Sequence, residues 1–567
     1  MKKMVKAKVR NAKVKIRKLS ILLILTLCLS LLPAAVFATS AAAVTLNKIS
    51  AIQPGGSVAV SGTSTLDEVI IQVLRPANST LFYDIVKVKD GQFSRSFTLA
   101  SSETVGTYKV VVGQADSIAT QEFVVSVPAG GGSIGGGGGG GQAANTVTPA
   151  NVQIHSSAIT SNKVTGPDGK VTTAVSIDNK FLSDAFVQLK EQGKTEQTPI
   201  IAIKIGNIDA NGTTNVSLPA SVLIEGMKNS NAVIRIYSDK ESYFLPLNVL
   251  NFDEIARSLG TDSSKVTFHV NISVAGNDLE KQIQESAGKK GASSLGHSVD
   301  FSIVAEGNGQ TKELKEFGTN YVNRSISYTG TVDPKTSTGV LYDPTKQEIS
   351  FVPSVFGENA EGKQQVTIKR NGNSIYGVVT SSKTFNDVKS HWAKSDIELL
   401  ASKLVVSGAT DSEFAPDHAI TRAEFATLLV RALALTADPS AASFKDVQAT
   451  DWYAGSIGAA VKSKLVSGYE DGTFQPNAQI TREQMAVMVA KALSAAGLTV
   501  DSQPELLNKF TDNSQISDWA KASVSQSVKA GIISGMTDTT FVASANASRA
   551  QAAVMLKRLL QYAKFIN

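Results

Sequence analysis

Cysteine is almost absent from this chain of 567 residues, which contains only Cys28. That residue lies in an apolar run near the N-terminus, so we expect no disulfide and no thiolate metal site in the rest of the chain. The five histidines are scattered and show no spacing typical of metal ligands. The glycine-rich run at 130–141 is not followed by the Lys-Ser or Lys-Thr pair of a phosphate-binding loop. The sequence therefore predicts a protein without a metal or a cofactor.

An excess of positive charge is also absent once the N-terminus is set aside. Residues 1–19 hold nine Lys or Arg, more than the whole formal surplus of +6, so the remainder is formally −3. An apolar run of twelve, 21–32, and small residues before a cleavage point after Ala38 complete a secretion signal at 1–38. The run is too short for a transmembrane anchor. We expect an exported protein that does not bind nucleic acid.

Residues 44–382 favour β-structure. Residues 44–127 alternate apolar and polar positions between turn sequences, which predicts about seven short strands in a β-sandwich. The segment resembles the immunoglobulin-like modules of bacterial surface proteins. A Gly-rich linker follows at 128–145. Residues 146–382 are predicted to form a β-rich middle region with a few helices, one of them marked by Leu182, Phe186 and Leu189.

Tryptophan is rare, and its three occurrences reveal a repeat. Trp392, Trp452 and Trp519 are each followed 16 residues later by Gly, 22 residues later by Phe and 30 residues later by Arg. A Phe-x-Asp triplet precedes each Trp. A period near 60 residues is typical of repeated supersecondary units. The repeats span 385–437, 444–497 and 510–564.

Each repeat predicts a helix, a loop and a second helix. Thr421, Thr481 and Ser548 suit the N-cap of the second helix, and Glu424, Gln484 and Gln551 complete capping boxes. The apolar stripes of the three second helices match, which favours an all-α domain around a pseudo-threefold axis.

The Arg after each cap has no role in capping. A guanidinium near a helix N-terminus is suited to a carboxylate or a phosphate, so it either binds an anionic ligand or pairs with a repeat Asp. The Trp residues present a similar choice: each either fills the core or offers a flat surface to a sugar ring.

The repeats resemble the S-layer homology (SLH) repeat of Gram-positive bacterial surface proteins, through Phe-x-Asp-Val, Trp, Gly, Phe-x-Pro and Ile-Thr-Arg-Ala-Glu. The resemblance implies non-covalent binding to secondary cell-wall polysaccharide, often through a pyruvate ketal. It implies these glycan-binding residues: Asp387, Trp392, Arg422, Asp446, Trp452, Arg482, Asp512, Trp519 and Arg549. By position, each groove would use the Asp, Trp and Arg of one repeat. The third copy departs from the pattern, because Val542-Ala543 and Ala547-Ser548 replace the usual residues.

Two functions follow. The first is a non-catalytic envelope protein, anchored by its repeats, which displays β-rich modules at the surface and associates with other copies in a surface layer. It is favoured because no nucleophile, metal or cofactor motif is evident and all three Trp lie in the repeats. The alternative is an anchored enzyme, such as a polysaccharide hydrolase, with its site in residues 146–382.

Overall fold

The computed structural model describes residues 44–125 and 145–567, apart from gaps at 51, 77–79, 101–102, 104–105, 115–116, 149, 168, 194–196 and 360–361. The predicted signal peptide and almost all of the predicted linker lie outside the described residues. The chain divides into two compact units, one before and one after residue 137.

The first unit contains two antiparallel sheets, with strand orders β1-β2-β5 and β4-β3-β6-β7. Alternate side chains such as Val58, Val60, Val69 and Ile71 are fully buried in one shared core, as expected for strands with one face inward. The predicted alternation is therefore confirmed for these strands. Their bounds are β1 Val44–Leu46, β2 Ser57–Ser64, β3 Glu68–Leu74, β4 Thr80–Lys87, β5 Gln92–Thr98, β6 Gly106–Gln114 and β7 Ser117–Val125.

The second unit begins with the middle region, whose described strands form two larger sheets. Their bounds are β8 Thr146–Thr148, β9 Asn151–Gln153, β10 Ile159–Thr165, β11 Val171–Ile177, β12 Ile200–Lys204, β13 Thr213–Pro219, β14 Val233–Tyr237, β15 Glu241–Pro246, β16 Thr267–Val274, β17 Ser293–Ser294, β18 Val299–Gly307, β19 Gln310–Glu313, β20 Val322–Tyr328, β21 Ser337–Asp343, β22 Glu348–Phe351, β23 Ser354–Glu358, β24 Gln364–Arg370 and β25 Ser374–Thr380.

One sheet follows the order β10-β11-β13-β16-β18-β25-β21-β22, with β17 beside β25 and β19 beside β18. The other follows the order β23-β24-β20-β15-β14-β12-β9-β8. Side chains from both sheets, such as Val270 and Ile234, are fully buried in one core. The prediction of a mostly β region with a few helices is confirmed. The helices of this region are α1 Asn179–Glu191, α2 Ala220–Met227, α3 Phe252–Ser258 and α4 Asn277–Lys289.

The repeats are helical, in the predicted order of helix, loop and helix. Their helices are α5 Lys394–Ser402, α6 Arg422–Ala432, α7 Ala454–Lys462, α8 Arg482–Ala495, α9 Asp518–Lys529 and α10 Arg549–Tyr562. They share one apolar core that includes Phe425, Met485 and Leu556. Among the described helices, none has both the length and the apolar character needed to span a bilayer.

The middle region is fastened to the repeats by buried polar contacts. Tyr321 Oη donates to the carbonyl of Leu433 at 2.8 Å. Lys403 Nζ donates to the carbonyls of Pro334 and Ser337 at 2.5 and 2.9 Å. Because unpaired buried polar groups are costly, such contacts are specific to one docked arrangement. The middle region and the repeats therefore belong to one compact unit.

Candidate functional site

The second helix of each repeat begins with the predicted capping box. The Thr421, Thr481 and Ser548 hydroxyls accept from the backbone N–H three residues on, and the Glu424, Gln484 and Gln551 side chains accept from the cap N–H. The prediction of three capping boxes is confirmed. Each box fixes the first helical position, which is occupied by Arg422, Arg482 or Arg549.

The three N-termini meet in a closed ring of backbone hydrogen bonds. The Ile420 N–H donates to the Ala547 carbonyl, the Ala547 N–H to Ile480, and the Ile480 N–H to Ile420, at 2.9 to 3.0 Å. The first helical Arg of each repeat therefore starts at the centre of the helical domain and points toward a neighbouring repeat.

The Asp of each Phe-x-Asp triplet holds the loop between the two helices. The Asp387 carboxylate accepts from the N–H groups of Phe414 and Ala415 at 2.6 to 3.0 Å. Asp446 accepts in the same way from Phe474 and Gln475, and Asp512 from Phe541 and Val542, at 2.7 to 2.8 Å. These three carboxylates shape the loops.

The recurrence of glycine at one position of each repeat has a steric cause. A Cβ on Gly408 would lie 2.6 Å from the Phe385 ring, and one on Gly468 would lie 2.4 Å from the Phe444 ring. Real Cβ atoms do not approach other atoms so closely, so each loop needs glycine where it crosses the Phe of the Phe-x-Asp triplet.

Each Arg reaches across to the loop of another repeat. Arg422 Nε donates to the Phe474 carbonyl, Arg482 Nε to Phe541 and Arg549 Nε to Phe414, at 2.9 to 3.0 Å. The guanidiniums also lie over the rings of these Phe residues, with centroid distances of 4.7 to 5.2 Å. The three Arg side chains thus connect the repeats.

The guanidiniums keep donors for a ligand. A guanidinium has five N–H donors, and among the described residues Arg422 uses only Nε. Arg482 and Arg549 use Nε and one terminal nitrogen, which donates to Ser534 or Ser407. No ion pair within 4 Å joins these Arg side chains to Asp387, Asp446 or Asp512 in the described part of the chain. The remaining donors can bind an anion bidentately.

The titration behaviour follows the same cyclic pairing. Burial lowers the pKa of Arg482 to about 10, and the charge of Asp512 opposes this effect. Arg482 therefore remains a cation at neutral pH. Burial alone would raise the pKa of Asp387, but three backbone N–H donors and the charge of Arg549 outweigh it and lower the pKa.

The Trp residues are exposed, and two of them line cavities beside an Arg of another repeat. Trp392, Trp452 and Trp519 are 65%, 67% and 59% exposed. Trp452 lines a cavity of about 160 Å³ together with Arg549 and the loop residues Ser407, Gly408 and Phe414. Trp519 lines a cavity of about 820 Å³ together with Arg422 and the loop around Tyr469. The core-filling alternative for Trp does not apply.

These cavities correct the predicted grouping by repeat. Asp387 holds Phe414, which lines the cavity of Arg549 and Trp452, and Asp446 acts on Arg422, which shares a cavity with Trp519. Each of these two grooves therefore draws on three repeats. The physical reason is the ring of N-termini, which directs each Arg into the neighbouring loop. Asp512 lies with Arg482.

Residues outside the predicted set also line the second groove, which is the cavity lined by Trp519 and Arg422. Tyr469 lies under the Arg422 guanidinium at 4.9 Å, and Gln475, Gln484 and Lys491 line the same cavity. Only Gln484 had a role in the sequence, as part of the capping box. Tyr469 directly follows the recurrent Gly468, and this position in the repeat is the sequence signal that could have identified it as a groove residue.

Comparison with known proteins agrees with the repeat pattern. Residues 384–426, 443–486 and 509–553 match the model of the S-layer homology domain. The chain is 35% identical over 40% of its length to "Amylopullulanase" of Thermoanaerobacterium thermosulfurigenes, and 39% identical over 33% to "Exoglucanase XynX" of Acetivibrio thermocellus. It is 30% identical over 26% to "Cellulosome-anchoring protein" of A. thermocellus. The chain spans only 12%, 17% and 33% of these relatives.

The relatives overturn one prediction. The sequence favoured a non-catalytic protein, yet the first two relatives bear enzyme names. The prediction that this protein is not an enzyme is therefore wrong as an exclusion. The absence of a local catalytic motif was its basis, and carboxylates distant in sequence meet only on folding.

Proposed function

We propose that this protein, which carries three S-layer homology domains and is attached to the cell wall at the cell surface, is held there through the inter-repeat grooves. Each groove binds an acidic unit of secondary cell-wall polysaccharide, such as a sugar that carries a pyruvate ketal. The observation that carries the proposal is the conjunction of a cation and an exposed Trp at one loop, as with Arg549 and Trp452.

The chemistry of the groove supports this ligand. The unused guanidinium donors suit a carboxylate, which accepts two parallel hydrogen bonds. An exposed indole offers an apolar face for the C–H face of a pyranose ring. The proposed binding set is Asp387, Trp392, Arg422, Asp446, Trp452, Arg482, Asp512, Trp519 and Arg549, in which the Asp residues shape the loops.

The remaining architecture belongs to the same proposal. The three SLH domains form a pseudo-threefold unit, which the closed ring of hydrogen bonds supports. The β-sandwich at 44–127 is an immunoglobulin-like module, displayed with the middle region at the surface, where copies of the chain join a surface layer. Its two antiparallel sheets around one core support this assignment.

The test uses the exported chain and isolated cell walls. Removing the non-peptidoglycan polysaccharide with hydrofluoric acid should abolish binding. A Trp452→Ala and Trp519→Ala double variant should weaken binding by at least about 2 kcal/mol, which is the typical effect of removing an aromatic side chain that a ligand covers on binding. Its melting temperature should stay unchanged, because both rings are exposed.

The matched control is Tyr83→Ala, which removes a ring that is 57% exposed in the first unit. This variant should bind walls like the parent protein. Full binding to stripped peptidoglycan, or full binding by a folded double Trp variant, contradicts the proposal.

A second candidate, an anchored glycan hydrolase, is favoured by two carboxylates, Glu241 and Glu280, that contact neighbouring residues of the middle region. Consecutive residues hold two carboxylates: Ser298 donates to Glu280, and His297 Nε2 lies 2.7 Å from Glu241 Oε1. The partly buried Tyr328 ring lies 6.4 Å from the His297 ring. Paired carboxylates are the usual machinery of glycoside hydrolysis.

Assays of reducing ends released from pullulan, xylan and carboxymethylcellulose test this candidate. Hydrolysis by the parent protein that disappears in Glu280→Gln, and persists in the exposed control Glu306→Gln, supports it. If the folded parent protein releases no reducing ends from any of the three polymers, this candidate is excluded for those substrates. If activity survives in Glu280→Gln, Glu280 is excluded as a catalytic group.

A further inference from the structure

A basic cleft lies where the middle region meets the first repeat. Its volume is about 590 Å³, and it is lined from one side by the end of α4 and by β22, and from the other by the loop of the first repeat. Four cationic side chains face it, against the single acidic side chain of Asp411. The cations are Lys289, Lys290, Lys383 and Arg431.

The lysines of this cleft are available for a ligand. Among the described residues, the amines of Lys289, Lys290 and Lys383 form no hydrogen bond or ion pair. Lys383 extends along the backbone at Gly291, where a Cβ would lie 2.8 Å from its Nζ. Uncompensated amines that converge on one cleft produce a positive potential, which attracts anions.

The cleft is continuous with the first groove, which is the cavity lined by Trp452 and Arg549. Val406, Ser407, Gly408 and Arg431 line both cavities. Arg431 is fixed between them by donating to the Val405 carbonyl at 3.3 Å. Among the described residues, none from the middle region lines the groove around Trp519. The first groove therefore has an extension that the second groove lacks.

We propose that this cleft is a second subsite for the wall polysaccharide, which binds further anionic groups, carboxylate or phosphate, of the polymer whose acidic unit occupies the first groove. The inference rests on the proposed function. Hydroxyls of Ser350, Ser407 and Thr410 supply neutral partners for sugar oxygens. The cleft makes the first groove selective for long, charged chains.

The test measures the affinity of the exported chain for two probes by calorimetry at low salt. The probes are purified wall polysaccharide cut to single repeating units and the same polysaccharide at many units. The Lys289→Gln and Lys290→Gln double variant should lose about fivefold in affinity for the long probe, as expected for two exposed charge contacts. It should bind the short probe like the parent protein.

The control is the double variant Lys265→Gln and Lys281→Gln, which removes the same charge from exposed positions outside the cleft. It should retain the parent affinity for the long probe. An equal loss in this control, or no loss in the cleft variant, overturns the subsite. If the parent protein binds neither probe, the proposed function fails instead.

Modified probes identify the anion. Carboxyl reduction of the long probe and its dephosphorylation remove the two candidate groups separately. The modification that reproduces the loss of the cleft variant identifies the group that the lysines bind. If the cleft variant and parent protein still differ fivefold after both modifications, the lysines do not bind an anion and the proposal is overturned.

Discussion

At the scale of single residues, the repeated Arg has a structural task beside the proposed ligand contact. Arg422 and Arg482 are only 7% and 3% exposed, and each donates to a loop of another repeat. Removing either side chain would leave a buried carbonyl unpaired, at a cost of about 1–3 kcal/mol. If an Arg variant bound walls less well, the loss could come from instability or from a missing ligand contact. Variants of the exposed Trp residues distinguish these causes, because they should not change stability.

The loop-holding Asp residues predict an acid-sensitive fold. The pKa values of Asp387 and Asp512 are lowered: burial opposes this shift, but backbone N–H donors outweigh it. A lowered folded pKa means that the stabilisation is complete above the unfolded pKa of about 4 and is lost as pH falls through the folded value. The melting temperature of the Asp387→Asn and Asp512→Asn double variant should be below that of the parent protein at pH 7, and the two should converge toward acid.

Thermal melts from neutral pH into the acid range check this expectation. Asp538→Asn is the control, because this carboxylate makes no hydrogen bond with the described residues. Its melting curve should follow the parent curve throughout. Parallel curves for the double Asn variant and the parent protein would show that the carboxylate charge does not hold the loops.

At the scale of elements, the first helices of the repeats end in the same backbone conformation with different residues. Leu404, Lys464 and Gly531 follow the helices with φ of +61°, +57° and +68°. Glycine adopts this left-handed conformation without the steric cost of a Cβ. Leu404 and Lys464 therefore carry a steric cost that Gly531 avoids at the same position of the repeat.

Lys464→Gly should therefore stabilise the protein by about 0.5–1 kcal/mol, as for other left-handed helix ends. Lys464 is exposed, so little packing is lost. The reciprocal change Gly531→Ala meets no atom within 4 Å and should destabilise through the backbone alone. Urea midpoints of both variants measure the effect, and shifts of the same sign would contradict this account.

Sequence alone predicted the parts of the site that are local. A capping box such as Thr421 with Glu424 spans three residues, so its geometry is contained in the pattern itself. The grooves are different, because Arg549 meets Phe414 across 135 positions of sequence. Which loop each Arg reaches depends on how the three helix N-termini pack, and residue spacing carries no record of that choice.

At the scale of the whole molecule, further polar contacts join the middle region to the repeats. Arg370 donates to the Ala434 carbonyl and to Thr436, and the C-terminal Asn567 bonds the backbone of Phe356. These contacts hold the middle region to the repeats at several separate points.

The ring of hydrogen bonds that joins Ile420, Ala547 and Ile480 also makes the three repeats depend on one another. Deleting one repeat would open the ring and would remove lining side chains from the cavities around Trp452 and Trp519, each of which is lined by all three repeats. The structure therefore predicts that the loss of one repeat impairs both cavities instead of removing only one of them.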